Sequence, residues 1–536
     1  MTTGADRIAQ RLAKAGCRHA FGIPGGEVLA LVEALGAAGI EVILTKHENA
    51  AGFMAEGVWH ATGAPGLFFA TLGPGVANAV NVVANAMQDR VPLIFVTGCV
   101  DAAEAESYTH QVFDHQAMLR PIVKASFRAT RETADLVVDK ALAIALSGRP
   151  GPVHIDLPIT VAEGLAPDGP LLVSPLRAKA VPAADAELEA ARALLARAAR
   201  PLIIAGLDAV NDGAGTQLVA LAEKLGAPVI TTYKGKGLIP EDHALSLGAA
   251  GLSPKADKLL MPLIAEADLI LLAGYDPIEM RIGWRHPWGT DKAVIDLVAE
   301  AMPHGMHGQT HLFVGDVSAS LAVLSDGLKP AGNPWPSQLP ARAKQLLQAA
   351  FTPEPLWGPG VVFTTLRKAM PAGTVATADS GAHRILASQI WACEAPRGML
   401  QSSALCTMGC AVPLAMGHAL ADPARPALAF VGDAGLEMGL GELATARDLG
   451  LPVIICVLVD ESLSLIEIKQ RGSQRPNSAV DFGATDFPAV ARAMGGHGVW
   501  IDDAQTLAHE AAAALTRQGF TVLACRIGKR AYDGKF

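Results

Sequence analysis

The chain is poor in aromatic residues, at 5%, and has neither a basic stripe nor an apolar run long enough to cross a bilayer. Its formal charge of −9 is spread along its length, which disfavours nucleic acid and anionic membrane surfaces as partners. The opening MTTGADRIAQRLAKAG lacks an apolar signal core and reads as an amphipathic helix, so a cytoplasmic location is expected. Seven cysteines, an odd number, sit mostly inside apolar runs, as Cys99 does in IFVTGCV and Cys456 in PVIICVLV. The closest pair, Cys406 and Cys410, has no histidine beside it. Buried thiols are expected, and neither a disulfide framework nor structural zinc.

What is abundant is apolar and small: 51% hydrophobic residues and 54 glycines in 536 positions, suited to helices packed closely on buried parallel strands. That length calls for more than one core, with three domains as the first expectation. A local plan recurs at both ends of the chain. GLFFATL reaches Gly73-Pro74-Gly75, a helix follows through VANAVNVVANAMQ, and Pro92 opens another strand. Near the C-terminus PALAFV reaches Gly432-Asp433-Ala434-Gly435, a helix is expected from near Leu436 through LEMGLGELATARDLG, and Pro452 opens PVIICVLV. The middle, with PLIIAG, PVITTY, LILLAG and KAVIDL, reads as a further parallel α/β unit. Proline-rich connections near 165–185 and 328–345 divide the chain into 1–170, 183–330 and 345–536. The fold class is therefore α/β, with three doubly wound parallel-sheet domains.

Chemistry is most legible in VGDAGLEMG. Amides at the start of a helix bind phosphate oxygens, and Ala434 and Gly435 let backbone approach closely. Asp433 would repel phosphate there unless a cation joined them, and magnesium takes hard oxygen ligands from carboxylate and phosphate together. The next strand delivers Asp460 to the same sheet edge, 27 residues later. Either aspartate alone reads as a cap or turn residue; the pair reads as a metal site.

This stretch resembles the thiamine diphosphate and magnesium signature, in which Gly-Asp-Gly is followed after a helix and a strand by Asn-Asn. Ala434 replaces a glycine, and Val459-Asp460 replace the asparagines. The resemblance implies Asp433, Asp460 and the carbonyl of Ser462 as metal ligands, with Gly432, Ala434 and Gly435 at the diphosphate. Other segments resemble acetolactate synthases of the catabolic, flavin-independent type. They are Phe21-Gly22-Ile23-Pro24-Gly25-Gly26, then His47-Glu48-Asn49-Ala50-Ala51, then Gly73-Pro74-Gly75 with Asn78. By that resemblance Gly25, Gly73, Gly75 and Asn78 line the cofactor. Glu48 exchanges a proton with its aminopyrimidine ring, although alone it reads as a helix-dipole partner.

DSGAHRILASQ resembles the family segment that contacts the diphosphate, here Gly381, Ala382 and His383. SSALCTMGCAVPLAMG resembles the one that holds the cofactor bent, with Met408 beneath the rings and the Cys406 carbonyl as an acceptor; core packing is the plainer role for Met408. YTHQVFDHQAMLRPIVKASF implies Gln111 over the reacting carbon, His110 nearby and Lys124 as a charge for the substrate carboxylate. His110 and His115 are not adjacent, unlike the histidine pair of many simple decarboxylases. QRGSQRPNSAVDFG reads as a lid or an exposed loop.

Gly274-Tyr275-Asp276-Pro277-Ile278-Glu279 resembles the flavin-free enzymes, so FAD is not expected. Arg281 and Arg285 suit an ADP-like phosphate or a solvated loop equally. The resemblance implies decarboxylation of a 2-oxo acid, pyruvate by default, with ligation to a second carbonyl compound. It also implies a homodimer or dimer of dimers whose sites lie between subunits. Arg384, Leu386 and Leu463 differ from the catabolic enzymes and leave the substrates open. So do three rival readings: a decarboxylase releasing an aldehyde, a 2-hydroxyacyl-CoA lyase, and a cofactor-binding protein without turnover.

Overall fold

The computed structural model describes residues 2–167, 179–330 and 335–536. The two expected junctions lie partly outside these residues. Three six-stranded sheets follow one another along the chain, every strand pair within them parallel.

The first sheet holds β1 (His19–Ile23), β2 (Glu41–Leu44), β3 (Gly66–Ala70), β4 (Leu93–Cys99), β5 (Ala125–Arg128) and β6 (Val153–Pro158), in the order β2-β1-β3-β4-β6-β5. The second holds β7 (Pro201–Ala205), β8 (Val229–Thr231), β9 (Ser246–Ala249), β10 (Leu269–Ala273), β11 (Ala293–Val298) and β12 (His311–Val314), in the order β12-β11-β10-β7-β8-β9. The third holds β13 (Val375–Ala378), β14 (Met399–Gln401), β15 (Ala427–Gly432), β16 (Ile454–Val459), β17 (His497–Ile501) and β18 (Thr521–Arg526), in the order β14-β13-β15-β16-β18-β17.

Numbered within its own sheet, the third order repeats the first strand for strand, which extends the repeat seen in the sequence to whole sheets. In each, the chain leaves the first and third strands in opposite directions, so a crevice opens between their carboxyl ends. Gly25 and Gly73 sit at that crevice in the first sheet, and Gly381 and Asp433 in the third. The second sheet has its crevice between β7 and β10. There Arg149, from the first unit, pairs with Asp208 at 2.9 Å and Asp276 at 3.4 Å.

Central strands such as β3, β4 and β16 are buried along their whole length, as parallel strands covered on both faces must be. The first and third units meet through equivalent helices, Glu48–Thr62 after β2 and Ala411–Ala421 after β14. Glycine permits the crossing: a Cβ at Gly417 would collide with the Met54 carbonyl oxygen, and one at Gly57 with that of Leu414. Two hydrogen bonds flank the contact, Ser402 Oγ to Asn85 Oδ1 at 2.6 Å and Thr407 Oγ1 to Asn81 Oδ1 at 2.9 Å.

One local expectation changes. The helix after β15 starts at Asp433 and breaks into Asp433–Glu437 and Glu442–Asp448. Gly439 and Gly441 lie in the break, and Gly441 brings the backbone so near the first unit that a Cβ would stand 3.2 Å from Lys46 Cβ. The segment read as a lid or an exposed loop is exposed over residues 471–479 and tied beside the site: Leu463 N–H donates to Val480 O at 2.8 Å and Phe482 N–H to Glu461 O at 3.2 Å. The seven cysteines are free thiols, six buried and Cys406 exposed.

Candidate active site

The third sheet ends in a cavity of about 640 Å³, roofed by residues 278–282 of the second unit. Gly381, Ala382, His383, Cys406, Met408, Gly432, Asp433, Ala434, Gly435, Asp460 and Ser462 all line it. Thus it collects every residue expected of the C-terminal unit.

Asp433 opens its helix with both carboxylate oxygens engaged. Oδ1 accepts from Ala434 N at 2.9 Å, and Oδ2 from Asp460 N at 3.1 Å and Glu461 N at 2.7 Å. The Asp460 carboxylate lies close by, accepting from the Ser464 hydroxyl. Burial, reinforced by the Asp433 charge, pushes Asp460 up to about 7, while burial also raises Asp433. Two desolvated carboxylates with no cation paired to them among the described residues form a donor set suited to a hard divalent ion.

In the same cavity, burial pushes His383 down to about 3, keeping its imidazole neutral, and its Nε2 has no hydrogen-bond partner among the described residues. A Cβ on Gly381 would stand 2.6 Å from that ring, and one on Gly432 3.4 Å. Neutral nitrogen, bare backbone and helix-start amides fit a diphosphate held with its metal. Cys406 takes φ 60°, an unusual conformation for a residue with a side chain.

Asp379 is a buttress that the sequence reading missed. Fully buried, it accepts from Gly409 N and Cys410 N, both at 2.9 Å, and so fixes the loop bearing Cys406 and Met408. A Cβ on Gly435 would strike its carboxylate. An acid at a strand end beside glycines was the available signal.

In the first unit Glu48 opens its helix at 4% exposure, and its Oε2 accepts from Asn78 Nδ2 at 3.0 Å. A Cβ on Gly75 would stand 3.2 Å from Glu48 Oε1. Gly73, at φ 69°, has Gln111 so close that a Cβ would lie 2.5 Å from the Gln111 carbonyl oxygen. Gly25 is pressed against Thr71, whose hydroxyl donates to Glu27 at 2.6 Å. Glu48, Gly73, Gly75 and Asn78 therefore cluster, with Gln111 at the same turn. None of them lines the large cavity of its own chain.

Gln111 instead lines a second cavity of about 390 Å³, with Leu72, Phe113, His115, Arg128 and Asp156. His110 lines neither cavity; it is exposed, its ring 6.3 Å from Tyr108. Lys124 does not face either one, a correction to its expected role. Its ammonium donates to the Ser147 and Arg149 carbonyls at 2.6 and 2.9 Å, closing the turn after a helix. Arg281 lines the large cavity, whereas Arg285 is exposed and does not.

His115 was noted in the sequence only for its distance from His110, yet it holds the Gly73 turn. Gly73 N–H donates to His115 Nε2 at 3.2 Å, which leaves the proton on Nδ1 to donate to Asp156 at 2.9 Å. His154 completes the group through Thr97 at 2.8 Å, and burial pushes it down to about 4. His115, His154 and Asp156 are close enough to share a metal. Hydrogen bonds already join them to one another and to the turn, the pattern of a positioning network.

A fold with matched crevices at its two ends, one lined by paired carboxylates and one by a buried glutamate, defines a cofactor-dependent α/β enzyme. Family models agree segment by segment. Residues 2–118 match the thiamine pyrophosphate enzyme N-terminal TPP binding domain, 188–324 the central domain and 379–525 the C-terminal TPP binding domain. The chain belongs to the thiamine pyrophosphate enzymes.

Its relatives include an acetolactate synthase large subunit of Parasynechococcus marenigrum, 32% identical across 96% of this chain and 85% of that protein. A probable 2-ketoarginine decarboxylase of Pseudomonas aeruginosa is 31% identical across 98% and 94%. An acetolactate synthase of Bacillus subtilis is 27% identical across 97% and 92%. Among the described residues, no helix is long and apolar enough to cross a membrane.

Proposed function

We propose that this protein is a thiamine diphosphate- and magnesium-dependent enzyme that decarboxylates a 2-oxo acid and ligates the product to a second carbonyl compound. The observation that carries the reading is the pair of buried carboxylates, Asp433 and Asp460, lining one large cavity with His383, whose Nε2 has no hydrogen-bond partner among the described residues. Asp433, Asp460 and the Ser462 carbonyl would hold the metal. Gly381, Ala382, His383, Gly432, Ala434 and Gly435 would hold the diphosphate. When bound, the cofactor supplies a nucleophilic carbon and accepts the electron pair left by decarboxylation.

The chain's own residues do the rest. Glu48, desolvated and held by Asn78, is positioned to pass a proton to a ring nitrogen. Met408 would be the apolar wedge under the two rings, and the Cys406 carbonyl would accept from the aminopyrimidine. Gln111, supported through Gly73 and His115, would stand over the reacting carbon with His110 nearby. Gly25, Gly73, Gly75 and Asn78 shape the pyrimidine side.

Since Glu48 does not line the large cavity of its own chain, a complete site needs a second copy, in a homodimer or a dimer of dimers. Met438 and Ile466, 66% and 42% exposed beside that cavity, and Leu44, 55% exposed before Glu48, are apolar surface that such a partner would cover. The domains are proposed as 1–170, 183–330 and 345–536.

Plain decarboxylation is the second reading, favoured by the likeness to the probable 2-ketoarginine decarboxylase. The test is calorimetric titration of metal-stripped protein with thiamine diphosphate, with and without magnesium, followed by pyruvate and product analysis. Magnesium-dependent binding with acetolactate formed supports the proposal. An aldehyde product selects the second reading, and absence of cofactor binding removes both.

A further inference from the structure

The large cavity contains charge that neither the carboxylate pair nor the glycine turns use. Arg384, directly after His383, is 3% exposed and forms no ion pair among the described residues. One terminal nitrogen donates to the Ser402 carbonyl and the other to Cys406 Sγ at 3.2 Å, while Nε has no hydrogen-bond partner among the described residues. A guanidinium cannot shed its proton, and a buried charge without a counterion is strongly unfavourable.

Arg281 reaches the same cavity from the roof, half-buried, with no side-chain hydrogen bond or ion pair among the described residues. Burial first, then the Arg384 charge, pushes Arg281 below its ordinary value. Lys469 adds a third cation at the exposed edge.

The acids of the cavity do not neutralise this group. Asp433 accepts from backbone amides at the helix start and after β16, and Asp460 accepts from the Ser464 hydroxyl. Glu279 accepts from Lys234 N at 3.0 Å, and burial pushes it up to about 7. The cofactor diphosphate is also a poor explanation. Arg384 gives its terminal donors to the Ser402 carbonyl and Cys406 Sγ and, among the described residues, to none of the Asp433 turn, where helix-start amides and carboxylates would hold the phosphates.

We propose that the cavity selects a 2-oxo acid bearing a second acidic group on its side chain, a dicarboxylate or a sulfonate, and that Arg384 and Arg281 bind that group. This rests on the 2-oxo acid reading above. One guanidinium suffices for the carboxylate common to all such acids, and two answer to a dianion. The same pair repels a cationic side chain, so a 2-oxo acid ending in a guanidinium is excluded despite the likeness to a probable 2-ketoarginine decarboxylase.

The test uses the full-length protein loaded with thiamine diphosphate and magnesium, measuring carbon dioxide release. Pyruvate and 2-oxobutanoate are compared with 2-oxoglutarate and 3-sulfopyruvate. A dianion should exceed pyruvate in kcat/KM by about tenfold to a hundredfold, the worth of one or two charge-assisted hydrogen bonds. Arg281→Gln should lower the dianion-to-pyruvate ratio by about tenfold or more, chiefly through KM, with thiamine diphosphate affinity retained. Arg384→Gln should do the same, and Arg384→Lys should recover part of the ratio.

Because Arg384 is buried, Arg281→Gln and the wild-type preference decide the matter if that variant does not fold. A wild-type preference for pyruvate, a ratio unmoved by Arg281→Gln, or cofactor affinity lost in step with activity overturns this inference and leaves the 2-oxo acid reading standing. No release from any 2-oxo acid by the cofactor-bound protein overturns both.

Discussion

The first and third sheets share one strand order, and at the same strand ends they carry opposite equipment. After its third strand the first sheet places Gly73-Pro74-Gly75, whose backbone leaves room for the Glu48 carboxylate. After its third strand the third sheet places Gly432-Asp433-Ala434-Gly435, which brings the acid itself into the crevice. After the second strand the first sheet starts a helix on Glu48, while the third runs through Cys406 and Met408 before its equivalent helix. One frame thus presents a buried glutamate, and its duplicate a pair of buried carboxylates, which the proposal reads as a proton-exchanging acid and a metal and anion site. A duplicated crevice allows two halves of one chemistry to diverge while the helices that join them, crossing at Gly57 and Gly417, stay the same.

Four changes sharpen that contrast, beginning with the largest. Glu48→Gln should lower kcat by about a hundredfold to ten-thousandfold, the usual worth of a positioned proton-transfer group, while calorimetry still records thiamine diphosphate binding. Full turnover in that variant would detach the first crevice from the chemistry. Asp433→Ala should weaken magnesium-dependent cofactor binding by at least about tenfold to a hundredfold, with no effect on binding expected from the Glu48 side. Equal affinity with and without the aspartate would remove the metal from the third crevice.

Acid should act on stability through His154. Burial holds its folded pKa at about 4, below the ordinary value of 6.5, so the unfolded chain binds the proton first as pH falls. Its contribution is intact above pH 6.5 and is lost between there and about 4, at roughly 1.4 kcal/mol per pH unit. Unfolding followed across that range should show the loss, and His154→Gln should flatten it. A pH profile identical in the variant would contradict the assignment.

The smallest effect concerns the joint between the halves. Gly417→Ala overpacks the contact with Met54 and should cost about 1–3 kcal/mol, read as a lower Tm. An unchanged Tm would mean that the two helices separate without loss.

Much of this contrast was legible in the residues, because glycine turns are dictated by local backbone demands. Gly73 takes a left-handed φ and Gly75 leaves the Glu48 carboxylate its space, and such needs leave a short recognisable string. Asp433 and Asp460 were readable for a similar reason: one helix and one strand fix where the second acid arrives.

Edge strands β9 and β12 were missed. They are short, and β9 contains Gly248 in a left-handed conformation, so neither shows a sustained apolar run. The break at Gly439 and Gly441 was missed because only tertiary contact with Lys46 demands it. Lys124 was misjudged since nothing local says that a lysine will serve backbone carbonyls. Arg384 and Arg281 are separated by more than a hundred positions, and their meeting is a property of the assembled walls.

The most direct test of the divided site is complementation between two inactive proteins. Glu48→Gln and Asp433→Ala chains are purified separately, unfolded or dissociated, mixed in equal amounts, and assayed after native mass spectrometry has confirmed mixed dimers. If each site takes Glu48 from one chain and Asp433 from the other, half of the randomly formed dimers are mixed. Each mixed dimer then regains one of its two sites, giving about a quarter of wild-type activity. Mixed dimers that remain as inactive as either parent would contradict the account, because both halves of the site would then have to come from a single chain.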